Sequence, residues 1–98
     1  GGEWISTIEI ENITVAHPKV KEAAVIGVKH KKWDERPLLL VVKSEEVSKE
    51  EVYEFLADKI AKWWMPDDIL FLNELPHTAT GKIRKVDLKT KYINHLIN

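Results

Sequence analysis

Two short, unbroken apolar runs constrain the fold more than anything else in the chain. Residues 22–28 read Glu-Ala-Ala-Val-Ile-Gly-Val and residues 38–43 read Leu-Leu-Leu-Val-Val-Lys. Runs of this length, bounded by polar segments, predict buried strands. Between them lies Lys29-His30-Lys31-Lys32-Trp33-Asp34-Glu35-Arg36-Pro37, a polar segment that reads as the long, charged tip of an antiparallel hairpin. Two buried strands need apolar cover, and the rest of the chain must supply it.

The cover reads mostly as helix. Ser48 and Glu51 form a capping-box pattern, and Val52, Phe55, Leu56, Ile60 and Trp63 keep helical spacing, so a helix is expected over 48–63 with Pro66 as its stop. Residues 84–97 read as a second amphipathic helix with Leu88, Tyr92 and Leu96 on one stripe. Residues 69–72, Ile-Leu-Phe-Leu, read as a third strand, and residues 76–82 have loop chemistry. Residues 5–17 stay open. Ser6 with Glu9 fits a helix cap, yet Ile8-Glu9-Ile10-Glu11 alternates like a strand, and His17-Pro18 ends the element either way. The expected fold is α+β, a small three-stranded sheet covered by helices.

Composition narrows the functional classes. The 98 residues are 44% apolar and 32% charged, which fits one soluble globular domain with a modest core. The absence of Cys excludes disulfides, thiolate nucleophiles and Cys-ligated zinc, and removes any argument for an oxidising compartment; a cytoplasmic location is expected. The longest apolar run, Leu38 to Val42, is too short for a transmembrane segment. The N-terminus lacks both a signal-peptide pattern and an initiating Met, which reads as a piece of a longer chain. A net charge of −1 gives no footprint for nucleic acid. The charge is blocked, however. Residues 19–43 and 75–98 are each +4 and residues 44–74 are −6, which suggests one basic and one acidic surface, or simply solvated faces.

The most suggestive segment for chemistry is Thr78-Ala79-Thr80-Gly81-Lys82. A glycine lets backbone approach a ligand, and a lysine supplies a flexible charge for an anion. It is not a phosphate-binding P-loop: Pro76 stands where the first glycine is required, and Ile83 where Ser or Thr must follow the lysine. By local chemistry alone Lys82 reads as an exposed loop lysine. Gly1-Gly2-Glu3-Trp4 offers thin backbone beside a flat aromatic face, against the plainer reading of Trp4 as core. Lys29, Lys31, Lys32 and Arg36 around Trp33 suit a phosphorylated nucleotide through charge and stacking, against the plainer reading of a solvated tip. Trp63 reads as core and Trp64 as the partly exposed member of the pair. His17, His30, His77 and His95 show no metal-ligand spacing, and no metal is assigned.

Several separated blocks together resemble one family. They are Gly1 to Asn12, His17-Pro18-Lys19-Val20, Glu22-Ala23-Ala24-Val25, Lys32 to Pro37, Ala61 to Pro66 and Glu74 to Lys82. In order and spacing they resemble the C-terminal domain of AMP-forming acyl-CoA synthetases, of the acyl-adenylate-forming superfamily, from residue 1 to about residue 92. The Gly-Gly-Glu-Trp-Ile-Ser form looks most like the fatty acyl branch, for medium- or long-chain acids.

The resemblance implies a two-step reaction. A carboxylate attacks the α-phosphate of ATP to give acyl-AMP and pyrophosphate, and the thiol of CoA then displaces AMP. It implies that residues 1–98 are a mobile C-terminal domain that offers different faces in the two steps. The partner is an N-terminal domain absent from this chain, which holds most of the ATP and acyl pocket and the Mg2+ that accompanies ATP. Lys82, next to Gly81, matches the family's lysine for the first step. Gly1, Gly2 and Glu3 match the segment lining the pantetheine channel. Trp33 and Trp64 fall near positions that contact the CoA nucleotide in some relatives. Trp4 departs from the arginine of some synthetases, which removes a phosphate contact there and leaves a hydrophobic or stacking role. The isolated domain is expected to be inactive alone. Two rival readings are an aryl-CoA ligase or carrier-protein adenylation domain of the same superfamily, and a free-standing α/β interaction module. Nucleic-acid binding is the weakest.

Overall fold

In the computed structural model, which describes residues 5–97, Ser6 decides the open segment in favour of a helix. Its side chain accepts a hydrogen bond from the Glu9 backbone N–H at 3.2 Å, and helix α1 follows over Thr7–Val15. The β-branched residues find helical uses. Ile10 is buried, and the Thr14 hydroxyl donates to the Ile10 carbonyl at 2.6 Å.

The two apolar runs are strands β1 (Val20–Lys29) and β2 (Glu35–Lys43), paired antiparallel with Val25 opposite Leu39 and Ala24 opposite Leu40. The tip is shorter than expected. Lys29, Glu35 and Arg36 lie within the strands, which leaves His30 to Asp34 to make the turn. Strand β3 (Asp68–Phe71) pairs in parallel with β2, giving the order β1-β2-β3.

Helix α2 (Lys49–Ala57) has the full capping box between Ser48 and Glu51. It ends well before residue 63, and Pro66 is not what stops it. Asp58 closes it, and Lys59 turns back so that its Nζ donates to the Phe55 carbonyl at 3.0 Å. That lysine satisfies a carbonyl the helix end leaves free. The chain then makes a short 3-10 turn at Lys62–Trp64. Helix α3 covers Lys85–Tyr92 and stops short of the expected residue 97.

Because strand side chains alternate, the sheet has two apolar faces. Ala23, Val25, Leu39, Val41 and Ile69 point to the first, where α1 and α2 bring Ile10, Val52 and Leu56. Ala24, Ile26, Val28, Leu38, Leu40 and Val42 point to the second, where Leu75 and Leu88 close over them. This two-sided burial is why the central strand is an unbroken apolar run; each fully buried Leu contributes roughly 1.5–3 kcal/mol. The α+β three-stranded architecture is as the sequence implies.

The free edge of β1 is covered. The Val25 N–H donates to the Glu11 carboxylate at 2.7 Å, and the Lys29 N–H donates to the Ile93 carbonyl at 2.9 Å. Glu11 also pairs with Lys85 at 2.5 Å, so one carboxylate joins α1, the β1 edge and α3.

Candidate functional site

Residues 77–83 form a closed hairpin. His77 and Ile83 make an isolated antiparallel bridge, the Thr78 N–H donates to the Lys82 carbonyl at 2.7 Å, and the Gly81 N–H donates to the Thr78 carbonyl at 2.9 Å. The Lys82 N–H reaches the Thr78 hydroxyl oxygen at 3.2 Å. Gly81 adopts φ +88°, a left-handed conformation that closes this kind of turn. A Cβ there would meet nothing within 4 Å, so the glycine is needed for its backbone angle rather than for space.

The hairpin is pinned at its base. His77 Nε2 lies 2.8 Å from Glu22 Oε2 near the start of β1, and the Arg84 N–H donates to the Pro76 carbonyl at 2.8 Å. Lys82 projects from it exposed, with no ion-pair partner among the described residues. A cation held on a hydrogen-bonded turn, with no ion-pair partner among the described residues, is available to an anion brought from outside.

Trp33 and Trp64 lie elsewhere. Trp33 is 50% exposed on the β1–β2 turn, with Lys32 Nζ 5.3 Å from its ring centroid. His30 shapes this turn: its Nδ1 accepts from the N–H groups of Lys32 at 3.0 Å and Trp33 at 3.3 Å. The tryptophan pair reverses the sequence expectation. Trp63 is the open one, 55% exposed, whereas Trp64 packs against the first core cluster. The early end of α2 is the cause, because residues 62–64 sit on a 3-10 turn rather than on the helical stripe. Arg36, grouped by sequence with the phosphate-binding cations, is instead committed internally. Its Nε donates to Asp67 at 2.8 Å and its two terminal nitrogens donate to the carbonyls of Trp63 and Met65, each at 3.1 Å. It therefore fastens the Trp63 turn to the hairpin that carries Trp33.

The two regions occupy opposite ends of the sheet. Glu22, which anchors the Lys82 hairpin, and Lys29, which opens the Trp33 turn, are separated along β1 by roughly 23 Å at ~3.3 Å per residue. Gly1, Gly2, Glu3 and Trp4 lie outside the described residues. A groove of about 320 Å³ beside α3 is lined by Leu72, Pro76, Leu88 and Tyr92, with Glu74, Asp87 and Lys91 at its rim.

Charge is interleaved rather than divided into a basic and an acidic surface. Lys19 pairs with Glu51, Arg36 with Asp67, Lys85 with Glu11 and Lys89 with Glu35. The first three of these pairs set a basic segment against an acidic one, and Lys89–Glu35 joins the two basic segments. Asp68 is held by His95 at 2.7 Å and Lys49 at 2.9 Å. Burial raises its pKa, but the hydrogen bonds from His95, Lys49 and the Ile69 N–H, with the Lys49 charge, leave it below the ordinary aspartate value. Burial, with the negative charge of Asp68 and Asp67, pushes the Tyr53 phenol up to about 12; its OH donates to the Pro66 carbonyl at 3.0 Å. Among the described residues no group of three or more His, Asp or Glu side chains is placed to hold a metal ion, and no helix is long and apolar enough to cross a membrane.

The sequence matches the family described as the AMP-binding enzyme C-terminal domain over residues 9–82. It is 54% identical over 94 residues to a medium-chain-fatty-acid–CoA ligase of Ectopseudomonas oleovorans, covering 94% of this chain and 17% of that protein. A 3-methylmercaptopropionyl-CoA ligase of Ruegeria lacuscaerulensis is 56% identical over 94 residues, with the same 94% and 17% coverage. Among solved structures, a Mycobacterium tuberculosis fatty acyl CoA synthetase superposes with a TM-score of 0.90 at 34% identity, covering 97% of this chain and 19% of that one.

Proposed function

The chain belongs to the family of AMP-binding enzyme C-terminal domains, and from that premise we propose that it is the mobile C-terminal domain of an AMP-forming acyl-CoA synthetase acting on aliphatic, medium- or long-chain acids. In the first step a carboxylate oxygen attacks the α-phosphorus of ATP, and pyrophosphate leaves. In the second the CoA sulfur attacks the acyl carbon, its proton is lost and AMP leaves.

Lys82 serves the first step. A carboxylate and a triphosphate repel one another, and a cation between them stabilises the charge that develops as they react. The effect is largest once the site closes and water is excluded. The second step uses the other end of the domain and the N-terminal segment. By the resemblance, Gly1, Gly2 and Glu3 belong to the pantetheine channel of the second step, and Trp4 has a hydrophobic or stacking role there. Trp33 and Trp63, on two turns that Arg36 fastens together, offer the CoA nucleotide aromatic faces, with Lys31, Lys32 and Lys62 supplying charge for its phosphates; Trp64 packs on the first core cluster. The Mg2+ that accompanies ATP has its ligands in the N-terminal domain.

The observation that carries this reading is the hairpin that presents an unpaired Lys82 at the opposite end of the sheet from the tryptophan turns. One small domain then has two separate working surfaces for two consecutive steps. The aliphatic acid class is supported by the two ligases above, whose named substrates are a medium-chain fatty acid and a methylthio-substituted propionate.

The test is Lys82→Ala in the full-length enzyme, with the half-reactions measured separately. Acid-dependent pyrophosphate release is expected to fall by about 10²–10³, as for loss of one transition-state charge contact. Thioester formation from supplied acyl-AMP and CoA is expected to continue at the normal rate. If both half-reactions are untouched, Lys82 is a surface lysine and an interaction module is the better account.

A further inference from the structure

Resting on the reading of the tryptophan end as the CoA-nucleotide surface, we propose that Arg36 is the positioning residue that assembles it. Trp63 is exposed on a turn of only three residues, Lys62–Trp64, too short to hold a side chain in place by its own hydrogen bonds. Trp33 stands on a separate turn far away in sequence. One side chain joins them. All three guanidinium nitrogens of Arg36 are engaged, on the Asp67 carboxylate and on the carbonyls of Trp63 and Met65.

The side chain is only 18% exposed, so it is part of the scaffold and not a free cation facing solvent. Asp67 is steadied in turn by His30 at 3.4 Å, from the same turn as Trp33, and by its own N–H donating to the Pro37 carbonyl at 2.9 Å. The planar fork is essential to this arrangement. Its donors diverge in one plane from three nitrogens at fixed angles, whereas a lysine ammonium donates from a single nitrogen and cannot reproduce that fork. Arg36 touches no ligand in this scheme. It acts through Trp63, fixing the distance and angle between two stacking surfaces.

The experiment uses the full-length enzyme supplied with acyl-AMP and CoA, and reads KM for CoA and kcat separately. Arg36→Lys is expected to raise KM for CoA about tenfold, the scale of a base-stacking contact, with kcat nearly unchanged. Trp63→Ala is expected to raise it by a similar factor. The double variant Arg36→Lys with Trp63→Ala is expected to be no worse than the poorer single one, because both remove the same contact. A merely structural role would instead multiply the two effects and lower kcat. Multiplied effects overturn the proposal, as does a normal KM in Arg36→Lys beside a raised one in Trp63→Ala. Should Arg36→Lys fail to fold, Asp67→Asn loosens the same clamp from an exposed position; a rise in KM supports the proposal, and an unchanged KM overturns it. If Trp33→Ala and Trp63→Ala both leave KM unchanged, the surface itself is misassigned, and the inference falls with the reading it rests on.

Discussion

The two faces of the sheet are covered in different ways. The first is roofed by α1 and α2, each begun by a serine that caps it, and its cluster holds ten buried residues. The second is closed by the irregular run from Leu72 to Arg84 and by α3, which follows Arg84 with no side-chain hydrogen bond capping its start. Its buried cover comes from Leu75 and Leu88, and an open groove runs beside them. Capped helices over a dense cluster are the part of the molecule that resists local opening; turns and uncapped ends are the part that opens first. Lys82 sits on the second kind of cover. Firmness and adaptability are therefore divided between the two sides of one small sheet.

Large-to-small substitutions test this division most severely. Leu56→Ala, under α2, is expected to destabilise the chain by about 3–4 kcal/mol, and Leu88→Ala, beside the open groove, by about 2 kcal/mol, since a site that can relax leaves less cavity. Urea unfolding gives both values, and equal costs would erase the difference between the faces. A smaller effect is expected at Gly81. With φ at +88° and open space around a new Cβ, Gly81→Ala is strained through its backbone alone, by about 1–2 kcal/mol. Amide exchange of Thr78, Lys82 and Arg84, whose N–H groups close the hairpin, should quicken while that of Val52 and Leu56 holds; equal acceleration in α2 would make the two faces one cooperative unit. The smallest effect concerns Asp68, where Lys49 at the start of α2 and His95 beyond α3 meet on one carboxylate. Its folded-state pKa lies below the ordinary value. The stability it adds is therefore complete above the unfolded-state pKa and is lost as pH falls through the folded-state one. Asp68→Asn should remove that part of the acid sensitivity, under about 1 kcal/mol for a partly exposed pair, as thermal melts between pH 2 and 6 would show.

Much of this organisation is legible in the sequence, for local reasons. The strands announce themselves through runs that only two-sided burial explains, and the helix starts at Thr7 and Lys49 follow from caps written within four residues. What is not legible depends on distant partners. The end of α2 was hidden because apolar spacing continues to Trp63 while the chain leaves the helix at Asp58; the adjacent Lys59 is the one local sign of it. The same slip exchanged the settings of Trp63 and Trp64. Charge blocks looked like separate surfaces, yet folding pairs Lys19 with Glu51 and Lys85 with Glu11. The loop carrying Lys82 could be read from Thr78, Gly81 and the lysine itself. Its attachment through His77 to Glu22 spans 55 positions and leaves no local trace. Arg36 was missed as a clamp for the same reason: its acceptors lie 27 to 31 residues away.

The carboxylate of Glu11 has a consequence for how copies of this chain meet one another. An outer strand ten residues long is an invitation to strand-by-strand stacking, because its unpaired groups can be extended by any other chain in the same conformation. Here a fixed negative charge occupies one of those groups, and the Ile93 carbonyl occupies another. The opposite outer strand is only four residues long, which leaves little to copy. A long border interrupted at two points by the chain's own segments is a poorer template for a second strand than its length implies.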